Sequence, residues 1–546
     1  MMRAWGCLVA LLVCAGVWAQ ERPVRPLDVP MSFAGTYGEL RHDHFHGGLD
    51  WRVGGQVGDP VHAVKSGWVS RVSVSVWGYG NGLYIDHPDG TTSVYGHMLG
   101  FTEAIDALVK EAQYARESFN VNLTFEPGEI PVQQGEVIGR VGSTGSSAGP
   151  HLHLEIRDTE RDLPLNPVAS GWYVPADRTA PEFHRVCFYG LDESPVPEPW
   201  RIHNLTKPGA VRDTLRLPAR SYVAFDVTDA QEGTTAKLGV EEYRVLVDDT
   251  LTFAFKLGEI PFDKGRYIKS LIQYGESRRG GRDLVKSRVD PNNLLGDHII
   301  CRNDGIIRLD DDAVHQVRLE AVDEHGNRAS VRYRVRRDTT LSAPAPDTSA
   351  KRAAWCWYMQ NLVCDSSLTY ILPAGALYNN INFTYRCVGG PDHARGIWSD
   401  IWQVGDPDIP LQLPGALEIA ADIPEELEDK AYVANYGKTL SHAGVNVRFG
   451  TYCVAVDTTA PEIRFLDRKG DIVSGSTIRI RVRDNASGVE STRVEIDGKW
   501  YLSMYKRDVV SLVLDESRVP RGRHEIKITV TDIVGNEAYE TRSFSY

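Results

Sequence analysis

The sequence predicts an all-β chain of several modules, and three observations carry that prediction. The first is period-two alternation: Tyr333 and Val335 alternate with Arg332, Arg334 and Arg336, Ile478, Ile480 and Val482 with Arg479, Arg481 and Arg483, and Ile526, Ile528 and Val530 with Glu525, Lys527 and Thr529. Such alternation marks half-buried strands, with one face in a core and the other in water. The second is a recurring turn beside these runs, Asp323-x-x-Gly326-Asn327 and Asp532-x-x-Gly535-Asn536. Short strands between Gly, Asn and Asp turns build β-sandwiches of immunoglobulin-like architecture. The third is a set of joints: Asp177-Arg178-Thr179-Ala180-Pro181, Asp338-Thr339-Thr340 and Asp457-Thr458-Thr459-Ala460-Pro461. Proline and small polar residues keep such stretches extended, and 546 residues are too many for one core.

The elements follow in order. Residues 1–19 read as a secretory signal peptide, with Arg3 as the positive region, Cys7 to Val17 as the apolar core and Val17-Trp18-Ala19 as the cleavage site. Residues 20–30 are a leader linker. The apolar run is short for a membrane span and no later stretch is long enough, so the mature protein is expected to be exported to the periplasm or cell envelope without a transmembrane helix. A lipid anchor at Cys14 is not expected, because Val13 stands where a lipobox has a small residue. Residues 31–177 form a glycine-rich β domain interrupted by one helix between Thr102 and Ser118. There Ile105, Leu108, Val109, Ala112 and Ala115 recur at helical spacing, as a packing face or as a lid or docking element. Residues 178–339 and 458–546 read as β-sandwich modules and 340–457 as a β-rich module.

Removing the leader leaves Cys187, Cys301, Cys356, Cys364, Cys387 and Cys453, an even number outside the histidine-rich segment, which fits one disulfide in the second module and two in the third. A formal charge of −13 argues against a nucleic-acid partner, whose binding depends on Lys and Arg neutralising phosphate.

Chemistry concentrates in the front third. Eight of the sixteen histidines (42, 44, 46, 62, 87, 97, 151 and 153) fall in one fifth of the chain. In His151-Leu152-His153-Leu154-Glu155-Ile156 a strand places His151, His153 and Glu155 on one face while the three apolar residues enter the core. His46 and Asp50 are separated by Gly47-Gly48-Leu49, a turn able to bring both side chains to one ion. Catalytic zinc takes three such ligands and keeps a fourth position for water. On chemistry alone Asp50 and several of the histidines qualify. Glu155 serves either as a partner orienting His153 or as a solvated carboxylate. His44 is a candidate cleft residue, while Arg41 and Tyr95 are candidates to touch a substrate carboxylate or an oxyanion.

Together these residues resemble the lysostaphin-type zinc metallopeptidases that cut bacterial peptidoglycan. The resemblance runs in order through His46-x-Gly48-Leu49-Asp50, Gly58-x-Pro60-Val61-x-Ala63, Gly67-x-Val69, Gly78-Tyr79-Gly80-Asn81, Tyr95-Gly96-His97, Gly135-x-x-Ile138-Gly139, Gly142-x-Thr144-Gly145 and Gly149-Pro150-His151-Leu152-His153-Leu154-Glu155. It implies a compact all-β domain (a duplicated hybrid motif) whose sheet floors a groove for an extended peptide. It also implies zinc held by His46, Asp50 and His153, with His97 and His151 as unligated catalytic histidines. The implied function is an exported zinc metalloendopeptidase acting on peptidoglycan stem-peptide cross-links. The alternative is a non-catalytic wall-binding protein or amidase activator on the same fold. The last module resembles bacterial Ig-like repeats, suited to spacing or to contact with the wall or envelope proteins.

Overall fold

A computed structural model describes residues 22–232, 236–466 and 477–546. The signal-peptide reading of residues 1–19 lies outside the described residues. Strands dominate, as the alternation predicts: Arg328–Arg337, Thr477–Arg483 and Arg523–Asp532 all form, with Tyr333, Val335, Ile478, Ile480, Val482, Ile526, Ile528 and Val530 buried.

The front domain is built on a nine-stranded sheet. Its central order is Phe33–Gly35, Leu49–Arg52, His151–Asp158, Thr91–Gly96, Asn81–Asp86, Gly67–Val74 and Val121–Thr124. All the pairings along this path are antiparallel. Leu49, Trp51, Leu152, Leu154 and Ile156 point into one apolar core, which leaves the opposite face of these strands free to carry polar groups. Residues 22–30 pack onto this domain: Leu27 is buried and the Val24 amide donates to the Val64 carbonyl. The inserted helix spans Glu103–Ala115, capped by the Thr102 hydroxyl. It buries Ile105 and Val109, whereas Leu108 is exposed, so the inward face is narrower than the apolar spacing suggests.

Three further pairs of sheets follow. Residues 182–337 form a five- and a six-stranded sheet, 351–456 a six- and a four-stranded sheet, and 462–545 two four-stranded sheets. Each pair encloses its own apolar cluster. The expected disulfides are absent: all six cysteines are free thiols. Cys187 and Cys453 are buried on strands, where a free thiol packs as a small apolar group, while Cys301, Cys364 and Cys387 are exposed.

The modules do not trail from the front domain as free spacers. Phe45, beside His46, is buried in the apolar cluster of residues 182–337, with its ring 6.0 Å from Phe255. At the other end, Tyr114 of the helix meets Trp500 and Tyr501 edge-on at 5.2 and 6.3 Å. Lys110 pairs with Asp515 and Glu117 with Arg493, so the helix is a docking element for the last module.

Candidate metal centre

Strand register assembles the site. Asp50 and His153 are direct partners on adjacent antiparallel strands, and His153 faces Gly96 on its other side. Side chains so paired lie within roughly 5 Å at Cβ, which brings carboxylate and imidazole together without any loop rearrangement. His46 arrives from the turn before Asp50. A Cβ at Gly48 would stand 2.3 Å from the Leu154 carbonyl oxygen, so only glycine lets this turn lie against the His151–Asp158 strand.

The outer hydrogen bonds decide where the lone pairs point. His46 Nδ1 donates to the Thr36 carbonyl at 2.8 Å, leaving Nε2 as an acceptor. His153 Nε2 donates to Glu155 Oε1 at 2.7 Å, leaving Nδ1 as an acceptor. Those two free nitrogens are 3.0 Å apart, and each lies within 3.0 Å of Asp50 Oδ1. Three buried acceptors therefore face one point, and the ligand atoms of His46, Asp50 and His153 all lie within 4.8 Å of one another. Acceptors cannot satisfy each other, and a cation is the group that fits. Two imidazoles and one carboxylate suit zinc and leave a fourth position open.

The local field favours such an ion. Asp50 is held well below the usual carboxylate range: burial opposes its charge, but the neighbouring imidazoles of His46, His151 and His153 outweigh that. Burial likewise disfavours a charged His153, yet Asp50 and Glu155 on either side of its ring raise it to about 9, so the point between the acceptors draws a positive charge, whether a proton or a metal cation. Glu155 is 1 % exposed, so it is not a solvated carboxylate. Against the cost of burial it is kept ionised by its hydrogen bond with His153 and by the Arg157 guanidinium, whose Nε and Nη2 sit 2.8 and 2.6 Å from Oε2.

His97 and His151 lie on the open side. His97 follows the Thr91–Gly96 strand with φ of 60°, an uncommon conformation for a non-glycine residue, and its Nδ1 donates to the Thr144 carbonyl at 2.9 Å. His151 Nδ1 donates to the Gly149 carbonyl at 2.8 Å. The loop from Gly142 to Pro150 thus fixes both rings, with centroids 4.7 Å apart and His151 Nε2 3.5 Å from Asp50 Oδ1, beside the point the three acceptors face. His97 is held down to about 4, by burial first and then by His153 and His151.

The other candidates separate. Arg41 Nη2 reaches Asp50 Oδ2 at 3.1 Å and borders the cleft. His44 also borders it, paired with Asp43. Tyr95 does not: it is fully buried on the opposite face, its hydroxyl accepting from the Val64 amide and the Ser93 hydroxyl, because it alternates with the site-facing residues of its strand. His62 and His87 are also tied up elsewhere, His62 with Gly135 and Asp28 and His87 with Ser66 and Ser93.

Two neighbours were not singled out from the sequence. Arg157 continues the alternation of His151, His153 and Glu155, and the Tyr79 hydroxyl donates to Glu155 from the Gly78-Tyr79-Gly80-Asn81 segment. One wall of the cleft, about 790 Å³, comes from Ile260, Pro261, Phe262 and Gly265, more than a hundred positions beyond the last site residue. Phe262 lies under the Arg157 guanidinium at 4.6 Å.

Residues 44–117 and 119–167 match Peptidase family M23, and residues 353–457 match a Zu5-like domain. The M23 match lies within the front domain and includes His46, Asp50, His97, His151 and His153. The DD-carboxypeptidase/endopeptidase Mpg of Neisseria meningitidis serogroup B is 36% identical over 124 residues, which are 23% of this chain and 22% of that protein. The chain thus spans about a fifth of the length of the curated relatives it matches. Among solved structures, the catalytic domain of the prophage-encoded M23 protein EnpA from Enterococcus faecalis is 28% identical, covering 27% of this chain and 94% of that one with a TM-score of 0.19. The catalytic domain of lysostaphin from Staphylococcus simulans is 23% identical, covering 24% and 90% with a TM-score of 0.17.

Proposed function

We propose that this protein is an exported zinc metalloendopeptidase that hydrolyses peptide cross-links of bacterial peptidoglycan. The observation that carries this reading is the convergence of three acceptors on one point, with two further histidines on the open side. His46, Asp50 and His153 would hold zinc, which when bound lowers the pKa of water towards about 7 and polarises a carbonyl. Glu155, fixed by Arg157 and Tyr79, sets the tautomer and ring angle of His153.

His97 and His151 supply proton transfer and oxyanion contact. Each has its Nδ1 proton committed to a backbone carbonyl, so Nε2 is the atom that accepts a proton from the nucleophile, donates one to the leaving amine, or faces the oxyanion. Arg41, at the same rim, is placed to meet a substrate carboxylate. The family match and the activity named for the Neisseria relative support a peptidoglycan substrate. Export rests on the Met1–Ala19 leader, and among the described residues no helix is long and apolar enough to cross a membrane. We divide the mature chain into a peptidase domain (31–177) and modules at 178–339, 340–457 and 458–546, the first of which also shapes the cleft.

The test is digestion of purified sacculi by wild type and His151→Ala, with metal analysis of both. Wild type should release cross-link cleavage products, and His151→Ala should keep its zinc while losing ~10²–10⁴-fold in rate. Equal product release by the two proteins defeats the enzymatic reading.

A further inference from the structure

Two acidic clusters outside the peptidase site share one design. In each, the first aspartate comes from a joint: Asp177 Oδ1 accepts from the Thr179 amide at 3.2 Å, and Asp457 Oδ1 from the Thr459 amide at 3.0 Å. The second comes from the Asp-x-x-Gly-Asn turn. Asp323 accepts from the Asn327 amide and side chain, both at 2.8 Å, and Asp532 from the same two groups of Asn536, both at 2.7 Å. The third member differs, His325 in the earlier cluster and Asp484 in the later one, and Asp484 has a buried Oδ1 without a hydrogen-bond partner, as does Asp229 beside the earlier cluster. Asp457, Asp484 and Asp532 offer oxygens that all lie within 4.8 Å of one another, and Asp177 and Asp323 do the same with His325.

These carboxylates lack compensation. Asp457, Asp532 and Asp323 are 1–2 % exposed, and among the described residues none of the six forms an ion pair with Lys or Arg. Burying charge without a partner is expensive, so such a cluster needs protons or a cation. Other polar atoms sit ready at the later cluster. The Tyr432 hydroxyl, from the preceding module, and the Ser487 hydroxyl are both buried without partners, and the Ser487 amide donates to Asp457 at 3.0 Å. Tyr432 feels all three acids: burial and then the charges of Asp457, Asp484 and Asp532 are among the causes that push its hydroxyl up. At the earlier cluster Asp177, Asp229 and His325 border a cavity of about 20 Å³, room for one water-sized occupant.

We propose that Asp457, Asp484 and Asp532 bind a calcium ion that fastens the last module to the joint before it. Calcium is the fit because the donors are three carboxylates on separate segments, with the Tyr432 and Ser487 hydroxyls unpartnered beside them and no imidazole or thiolate in the set. Magnesium demands a more regular octahedron and retains its waters, for which donors as deeply buried as Asp457 and Asp532 leave little room. The inference is independent of the peptidase reading, since no residue is shared.

The test uses the full-length chain, passed over chelating resin and resupplied with one equivalent of zinc, then titrated with calcium and with terbium. One site is expected, with Kd of roughly 10⁻⁴–10⁻³ M as for other extracellular calcium modules. Terbium bound there should show tyrosine-sensitised emission from Tyr432, displaced by calcium. Asp484→Asn should lose both that emission and the site. The variant removes an uncompensated charge, so in chelator it should melt no lower than wild type, and only the calcium-dependent rise in Tm should shrink. Absence of saturable calcium binding in wild type overturns the proposal. So does unchanged calcium binding in Asp484→Asn, or an Asp484→Asn protein that melts lower than wild type in chelator.

Discussion

The peptidase centre and the junction clusters both bury carboxylates, yet they are balanced in opposite ways. Around Asp50 every outward-facing nitrogen of His46 and His153 is tied to an acceptor, and Glu155 is matched by Arg157. Around Asp229 and Asp484 an oxygen faces inward with nothing to meet it. The centre is therefore an oriented set of mixed nitrogen and oxygen donors, suited to a borderline ion, and the junctions are oxygen-rich, suited to a hard one. Orientation is the extra ingredient that chemistry requires, and the outer hydrogen bonds of the peptidase centre supply it.

The largest expected effect breaks the centre outright. Asp50→Ala should eliminate stoichiometric zinc and reduce digestion of sacculi to background, read by metal analysis and product release, while calcium binding at Asp457, Asp484 and Asp532 is unchanged. Next, Glu155→Gln removes a charge that is compensated, unlike Asp484. It should weaken zinc binding by ~10–100-fold in a chelator competition. It leaves Arg157 buried without its anion and should lower stability by about 3–5 kcal/mol in denaturant melts. An Asp484→Asn protein in chelator should show no such loss, and equal losses in the two would erase the contrast.

A third change tests whether the centre depends on the neighbouring module. Phe45→Ala empties a position in the cluster of residues 182–337 and should cost about 3–5 kcal/mol. Because Phe45 adjoins His46, zinc affinity should fall with it. The smallest effect lies at the far docking surface. Lys110→Ala should cost no more than about 1 kcal/mol, since the pair is largely solvated. Burial opposes the charge on Asp515, but hydrogen bonds from Lys110 and Ser517 hold it down to about 2. Its folded value lies below its unfolded one, so the contribution is complete above about 4 and lost as pH falls towards 2. The Tm difference between wild type and Lys110→Ala should therefore narrow as pH drops from about 5 to 2, in the range set by ordinary and shifted carboxylates.

Much of the centre was legible because strand alternation is a local property. His151, His153 and Glu155 fall on one face by counting in twos, and Arg157 extends the same count. Tyr95 misled because it stands next to Gly96 and His97 in sequence while its side chain obeys the same rule in the other direction, into the core. Helical spacing alone likewise placed Leu108 inward, whereas its side chain is exposed. Even cysteine number gave no geometry, and the six thiols are free. The cleft wall at Ile260 to Gly265 and the acids Asp229 and Asp484 were not visible, because nothing local couples them to the segments they meet. The joints and the Asp-x-x-Gly-Asn turns were visible as a repeat, but only the fold brings them together.

The most direct test of the zinc peptidase account is release of stem-peptide fragments from purified sacculi by the wild-type chain, before chelation, after it, and after zinc is restored. The account predicts release that stops on chelation and returns with one equivalent of zinc. Release that continues undiminished in the zinc-free protein would contradict it.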